Sequence, residues 1–198
     1  AYSTDNIYRT AHHGETVAPS RGGGAEARPF VMEGDRAIIL NQSGLTITAF
    51  KVPHDPVDPA VGYRFDYKGR SACISGDTAK STNLARVCKD VDLLVHEALQ
   101  PAMIEEMEAL LKERGNDSAA KIMFDIQDYH ASPEDAAESA QTADAKMLVL
   151  SHLVPPLPLT YLYPAFLGDA NNRYAGPLIV GEDGMLFTLP VDGDSIEQ

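Results

Sequence analysis

The stretch ACISGDT, residues 72–78, decides how this chain is organised. Its first four residues are typical of a short buried strand, which ends abruptly at a glycine followed by a carboxylate. An α/β chain uses this order to place one acidic side chain at the carboxyl end of a strand, where ligands bind. Gly76 permits a sharp turn or a close approach of the backbone. We therefore expect Asp77 to lie at a binding site.

Three histidines follow comparable segments: His54 after TITAFKVP, His130 after FDIQDY and His152 after KMLVLS. Imidazole and carboxylate are the usual ligands of zinc and related divalent ions in hydrolases. A carboxylate can bridge two ions ~3.5–4 Å apart, and such a pair lowers the pKa of bound water and clamps the reacting oxygens. Each residue alone is more often structural. Together, the sequence predicts that His54, Asp77 and His152 converge on a metal site.

Composition and charge set broad limits on the protein. The 198 residues are 44% hydrophobic and 23% charged, which is ordinary for a globular protein, so one domain over residues 1–198 is the default. The formal net charge of −13 argues against a broad nucleic-acid surface, which needs Lys and Arg to displace counterions. Because no apolar run approaches ~20 residues, we expect no membrane span.

Cys73 and Cys88 are the only cysteines, and they form no Cys-x-x-Cys pair. We interpret them as two small buried hydrophobic residues, the first in a strand and the second in a helix. The absence of a disulfide framework favours a reducing compartment, and hence the cytoplasm.

The hydrophobic pattern predicts strands before residue 76 and an alternation of strands and helices after it. Ser132 followed by Pro133 and two acids is a strong helix start. Predicted strands are 37–40, 45–52, 61–67, 70–75, 91–95 and 146–151, with a closing hairpin of 178–180 and 185–189. Predicted helices include 81–89, 100–114 and 133–143. Ile104, Met107, Leu110 and Leu111 share one face of the second of these.

Four segments carry a family resemblance: VPHDPVDPAVGYRF, CISGDT, LLVHEAL and DYHASPEDAAESAQTADAKMLVLSH. In this order they closely resemble the carboxyl-terminal half of the metallo-β-lactamase-fold hydrolases, most of all the ribonuclease Z and arylsulfatase-like branch. The similarity runs from about residue 45 to His152 and is weaker beyond. It implies an α/β protein, the αββα metallo-β-lactamase sandwich, of which this chain supplies mainly the second βα half.

The resemblance also implies residue roles. His54 and His152 would be metal ligands, and Asp77 would be both a bridging ligand and a catalytic residue. His130 would assist the leaving group and Glu97 would orient it, since a carboxylate that holds an imidazole raises its base strength. A complete active site would contain two Zn²⁺, with Mn²⁺ or iron as alternatives, and no other cofactor.

Plainer roles stand beside these. His130 can be a loop residue with a structural hydrogen bond, and Glu97 can be an exposed loop acid. For His96 a structural hydrogen bond at a strand end is the favoured interpretation. Tyr63 and Arg64 can line a pocket, or pack on a strand with the guanidinium at the surface.

One departure from the family is large. Its defining His-x-His-x-Asp-His motif is absent, and His12-His13-Gly14-Glu15 does not match it. We expect a partial chain that lacks its amino-terminal segment, and the alternative is a truncated, inactive relative. Half a site should bind metal weakly, because three ligands shared between two ions satisfy neither.

The resulting prediction is a binuclear metal-dependent hydrolase that attacks an ester-like bond of a small substrate with metal-activated hydroxide. That bond can be a phosphodiester, a sulfate ester, a lactone or a β-lactam. The alternative is a ribonuclease Z-like endonuclease for tRNA 3′ ends, which the acidic charge and the lack of a basic, Gly-rich arm disfavour. A third reading is a non-catalytic relic of the fold that serves a partner interface. A homodimer stays open.

Overall fold

The computed structural model describes residues 2–20, 29–191 and 193–198, and the chain divides into two units, Ala1–Val31 and Met32–Gln198. The first unit contains helix α1 (Tyr2–His13), whose last turn ends in two exposed histidines. The second unit contains the sheet and all predicted site residues. The organisation of residues 1–198 as a single domain stays a prediction.

A seven-stranded sheet, in the order β1 to β7, forms the frame of the second unit. Tight turns at Ser43-Gly44 and Lys68-Gly69, all with positive φ, join antiparallel neighbours, because this backbone twist matches that of the flanking strands. Strands β1 to β4 pair antiparallel and β4 to β7 pair parallel. The strands are β1 (Arg36–Gln42), β2 (Leu45–Val52), β3 (Ala60–Tyr67), β4 (Arg70–Ile74), β5 (Leu93–Leu99), β6 (Met147–Val154) and β7 (Leu178–Val180).

Helices connect the parallel strands, as parallel pairing requires. The best defined is α5, where Ser132 is the helix start that was expected, Pro133 occupies the first turn, and Ser132 and Asp135 form a capping box. Its buried face is mostly alanine, which lets the helix approach β5, β6 and α2 closely. The helices are α2 (Thr82–Val87), α3 (Pro101–Glu113), α4 (Asp117–Asp125), α5 (Pro133–Ala143), α6 (Tyr163–Leu167) and α7 (Ala170–Arg173).

The core lies between the sheet and the helices on one of its faces. Phe50, Leu94, Leu148 and Leu150 project from the strands and are fully buried, and Phe166 of α6 joins them. Burying one such side chain contributes about 1.5–3 kcal/mol. This packing holds the parallel strands in a fixed relation, on which the geometry at their ends depends.

Two secondary-structure predictions are wrong. Strand β5 continues to Leu99 and β6 to Val154, so Glu97 and His152 lie within strands rather than after them. The closing hairpin is absent from the described residues, since Leu178–Val180 pairs parallel with β6 and Thr188 instead bridges Glu197. The predicted apolar face of α3 is only partly covered, with Ile104 buried and Leu110 51% exposed.

The interpretation of the cysteines is wrong in one respect, since both are fully buried as predicted but are not separate thiols. Cys73 and Cys88 form a disulfide, with their Cα atoms 5.8 Å apart. Cys73 lies on β4 and Cys88 follows α2, and the fold of the helix back onto the sheet brings two positions 15 residues apart together. The argument for a reducing compartment therefore loses its basis. Among the described helices, none has the length and apolar character of a membrane span.

Candidate metal centre and active site

The candidate site lies at the carboxyl ends of β4, β5 and β6, which share one edge of the sheet because the strands are parallel. Asp77 follows β4, Glu97 lies near the end of β5 and His152 near the end of β6. Gly76 has a φ of 64°, and a Cβ there would stand 2.5 Å from the Val61 carbonyl oxygen. The turn that delivers Asp77 therefore needs glycine at this position.

Glu97 is the organising residue of the site. Its carboxyl Oε1 accepts hydrogen bonds from the Thr78 amide at 2.9 Å, the Ala131 amide at 3.3 Å and His130 Nδ1 at 2.9 Å. Its own amide donates to Ser75 Oγ at 3.0 Å. Glu97 is 1% exposed, so it is not a loop acid in solvent. It ties the Asp77 turn to the loop that carries His130.

The second carboxyl oxygen of Glu97 differs from the first in its hydrogen bonding. Oε2 is buried and has no hydrogen-bond partner among the described residues. Buried polar atoms are nearly always paired, and a buried carboxylate oxygen without a partner is costly. It marks a place where an additional donor or cation would be accepted.

His130 is held as an imidazole with an acidic partner. Burial lowers its pKa, but the hydrogen bond to Glu97 and the charges of Glu97 and Asp77 outweigh burial, so the pKa lies above the ordinary 6.5. Because Nδ1 donates to Glu97, Nε2 is the ring atom left to exchange a proton with a ligand. This is the contact that the resemblance implied for the pair.

His54 and His152 flank this histidine. The His54 ring centroid is 5.1 Å from that of His130 in an edge contact, and the His152 ring stacks on His130 at 5.6 Å. His54 Nδ1 donates to the carbonyl oxygen of Tyr129 at 2.9 Å, which leaves Nε2 available as a ligand atom.

His152 lies in an unusual backbone conformation for a residue with a side chain. Its φ is 45°, and the register between β5 and β6 shifts beside it, after Glu97. Such irregularities re-aim a side chain at a sheet edge, and this backbone costs about 1–3 kcal/mol. His152 Nε2 lies 4.0 Å from Asp77 Oδ1, too far for a hydrogen bond, and the two side chains are 51% and 47% exposed.

The structure thus brings His54, Asp77, His130 and His152 together from positions up to 98 residues apart in sequence, and His130 comes from the loop before α5 rather than from a strand end. Their roles as ligands stay predictions. The ligand atoms of Glu97, His130 and His152 lie within 4.8 Å of one another, a trio that differs from the predicted one. It shares only His152 with the predicted trio, which stays a prediction.

The predicted ligands present the types of donor atom that a divalent ion needs. Two imidazole nitrogens and one carboxylate suit zinc and related ions, which usually take four ligands each. His54, Asp77 and His152 fit this chemistry, and the unpaired Glu97 Oε2 is consistent with a cation nearby. Three donors are fewer than the four ligands that one such ion usually takes.

Some contributors carry no sequence signal. The Thr78 and Ala131 amides and the Tyr129 carbonyl act through the backbone, which any residue provides. His96 has the structural hydrogen bond that was favoured, between Nδ1 and the Glu97 carbonyl oxygen at 2.7 Å, and burial lowers its pKa. Arg64 binds Asp66 and two backbone carbonyls and takes no part in the site.

Relatives in sequence are ribonucleases. "Ribonuclease Z" of Mycolicibacterium gilvum is 32% identical over 158 residues, which cover 79% of this chain and 49% of the relative. "Ribonuclease Z" of Mycobacterium avium is 29% identical over 188 residues, covering 95% of this chain and 60% of the relative. The chain therefore spans about half to three fifths of the length of these relatives.

Two solved structures share the fold of this chain, and one family domain matches its sequence. The metallo-beta-lactamase fold protein YhfI from Bacillus subtilis has a TM-score of 0.52 at 20% identity, over 74% of this chain and 50% of that one. The short form of human tRNase Z has a TM-score of 0.51 at 23% identity, over 79% of this chain and 46% of that one. Both likenesses show the metallo-β-lactamase fold. Since the domain described as "Beta-lactamase superfamily domain" matches residues 3–153, the chain belongs to the beta-lactamase superfamily.

Proposed function

We propose that the chain is part of a divalent-metal hydrolase that cleaves phosphodiester bonds, as the names of its ribonuclease Z relatives suggest. One observation carries the proposal: the Glu97–His130 pair faces His54, Asp77 and His152, so that a proton donor stands beside a set of metal-ligand side chains. A diester needs both, a positive site for its developing charge and an acid for its leaving oxygen.

In this proposal His54, Asp77 and His152 are metal ligands. Divalent ions, when bound, supply charge neutralisation and a water of lowered pKa. We favour Zn²⁺ in two sites, with Mn²⁺ or iron as alternatives.

Glu97 and His130 of this chain supply the proton to the leaving group. Glu97 accepts from Nδ1 and keeps the ring in one orientation, so Nε2 is the atom that delivers a proton to the departing oxygen. The negative charge of Glu97 stabilises the protonated ring before transfer and favours its reprotonation afterwards. The two backbone amides on Oε1 keep the carboxylate from turning away.

Two substrate classes fit this chemistry. Relatives named ribonuclease Z favour an RNA phosphodiester, such as the 3′ end of a tRNA precursor. A small ester-like substrate is the second candidate, favoured by the net charge of −13 and by Glu182 and Asp183, which line a groove beside His152. A homodimer stays a prediction.

The test uses the full-length protein with Zn²⁺ or Mn²⁺, a precursor tRNA and bis(p-nitrophenyl) phosphate. We expect hydrolysis of at least one substrate, its loss in Asp77→Ala, and about two zinc ions per chain by elemental analysis. Cleavage of the precursor tRNA alone favours RNA, and cleavage of the aryl diester alone favours a small substrate. Absence of metal together with absence of hydrolysis would support the relic reading instead.

A further inference from the structure

A groove of about 670 Å³ opens directly beside His152. Ligand pockets for small organic groups have volumes of about 300–1,000 Å³, so its size suits part of a substrate. Its walls come from β5 and β6, from the segment that follows His152, and from residues 181–187. Apolar side chains in the walls include Val95, Val149, Leu157, Met185 and Phe187.

The acids in the groove are Glu182 and Asp183, and Ser151, Thr160 and Tyr163 supply hydroxyl groups. Tyr163 Oη donates to Glu182 Oε1 at 2.7 Å, which joins the two walls, and Asp183 follows on the same rim. None of the described residues that line the groove is Lys or Arg. A second phosphate would meet negative charge here, so the groove suits an uncharged group with hydrogen-bond donors.

The wall that carries Glu182 is fixed to the site by the backbone. The Gly181 amide donates to the Leu150 carbonyl oxygen at 2.8 Å, and a Cβ on Gly181 would stand 2.5 Å from that oxygen. Leu150 lies two residues before His152 on β6. Glu182 is thereby held in a defined relation to the predicted metal ligand.

We propose that this groove is a substrate subsite, which holds an uncharged aromatic ring next to the scissile bond, with Tyr163 and Glu182 as specificity-determining residues. Apolar and sulfur-containing walls suit a flat ring. The free acceptor capacity of the Glu182 carboxylate suits an N–H or O–H on its edge. A nucleobase and an aryl group share this chemistry.

The subsite rests on the proposed function, since it places the ring beside a phosphoester. Binding and turnover are therefore measured separately, on the full-length protein with Zn²⁺. Phenyl phosphate, thymidine 5′-monophosphate and methyl phosphate serve as binding probes by calorimetry. Bis(p-nitrophenyl) phosphate and methyl p-nitrophenyl phosphate serve as substrates, because they lose the same leaving group and differ in one ring.

The main variant is Thr160→Trp, which fills the groove from an exposed position on its rim. Its control is Thr142→Trp, an exposed position on α5 outside the groove. Glu182→Gln and Tyr163→Phe remove the charge and the hydroxyl with little change of shape. Their control is Glu106→Gln, an exposed acid on α3.

We expect Thr160→Trp to weaken the binding of ring-bearing probes about tenfold and to leave the binding of methyl phosphate unchanged. The reason is that a filled pocket penalises only the groups that enter it. The kcat/KM for bis(p-nitrophenyl) phosphate should fall by the same factor relative to the methyl ester. If a nucleobase is the natural ring, Glu182→Gln should weaken the binding of thymidine 5′-monophosphate more than that of phenyl phosphate. Tyr163→Phe should have the same selective effect.

Equal binding of phenyl and methyl phosphate by the unaltered protein would overturn the subsite, as would identical behaviour of Thr160→Trp and Thr142→Trp. Ring-dependent binding without hydrolysis of any diester would leave the subsite standing and refute the proposed function. Hydrolysis of both diesters at the same kcat/KM, with or without the second ring, would support the proposed function and refute the subsite.

Discussion

The two ends of the same parallel strands are built on opposite plans. At the amino ends of β4, β5 and β6, Arg70, Asp92 and Lys146 form a closed network. Asp92 accepts from Arg70 Nε at 3.1 Å and pairs with Lys146 Nζ at 2.9 Å, and Arg70 Nη1 donates to the carbonyls of Pro190 and Gly193. At the carboxyl ends, Asp77 and His152 stay 4.0 Å apart and Glu97 Oε2 has no partner among the described residues.

The difference separates groups that stabilise from groups kept available for a ligand. A buried charge with every hydrogen bond made holds the strands in register, and removing one partner is costly. Polar groups without partners lower stability, and proteins tolerate them where a ligand will use them. The sheet thus joins a satisfied end, which anchors the carboxyl-terminal tail, to an unsatisfied end, which carries the candidate site.

Removing the carboxylate of Asp77 should have the largest effect. If Asp77 bridges metal ions, Asp77→Ala loses several kcal/mol of transition-state stabilisation, about 10³-fold in kcat/KM. Because its side chain is half exposed and makes no hydrogen bond to the residues that the structure describes, the melting temperature should change little. Diester hydrolysis and thermal unfolding measure the two effects, with exposed Glu105→Ala on α3 as the control. Activity that survives Asp77→Ala would show that the active site does not lie at the carboxyl ends of these strands.

Neutralising Glu97 should come next. Glu97→Gln keeps an oxygen for the Thr78 and Ala131 amides but loses the charge that holds His130. Loss of such an orienting partner typically costs about 10–100-fold in activity. Steady-state kinetics check the loss, and circular dichroism checks that the fold is kept. A variant with full activity would assign Glu97 a purely structural role.

At the other end of the strands, Asp92→Asn should reduce stability without a specific loss of activity. The amide keeps shape but gives up two charge-assisted contacts, to Arg70 and Lys146, at a cost of about 2 kcal/mol. Urea unfolding measures the stability, and kcat per folded molecule should match the unaltered protein. A selective loss of kcat would show that the two ends are coupled.

The same network predicts a pH dependence of stability. Burial raises the pKa of Asp92, but hydrogen bonds from Arg70, Lys146 and the Ser71 amide hold it at about 2, below the ordinary 3.8. A carboxyl whose pKa is depressed in the folded state stabilises above the unfolded pKa. This contribution, about 2 kcal/mol, should be lost as pH falls from about 4 to 2. The difference in unfolding free energy between the protein and Asp92→Asn should shrink across that window, and a constant difference would contradict the assignment.

The smallest expected effect concerns the helix that follows His130. Ser132→Ala removes the side chain that caps α5, where Ser132 Oγ accepts from the Asp135 amide at 3.0 Å. Loss of such a cap costs about 1 kcal/mol. Thermal unfolding should show this loss, and activity should change by less than it does in Glu97→Gln. A larger effect on activity than in Glu97→Gln would mean that the cap itself positions His130.

Local chemistry made much of this predictable. The start of α5 after Ser132 and the bounds of β2 follow from residues adjacent in sequence, and the structure confirms both. The closing hairpin failed because a turn signal around Gly184 does not say which strands pair. The expectation of two separate cysteines failed because the approach of Cys73 and Cys88 depends on how α2 packs on the sheet. Neither position encodes that packing alone.

The sequence by itself determined the residue types at the strand ends, His54, Asp77 and His152, and through their motifs the metallo-β-lactamase fold. Only the tertiary structure decided that Glu97 is buried within β5, with one oxygen bonded to His130 and the other without a partner among the described residues. It also decided that His152 is turned by a positive φ towards Asp77. The reason is physical: residue chemistry is local, whereas burial, register and the meeting of distant side chains arise from packing the whole sheet.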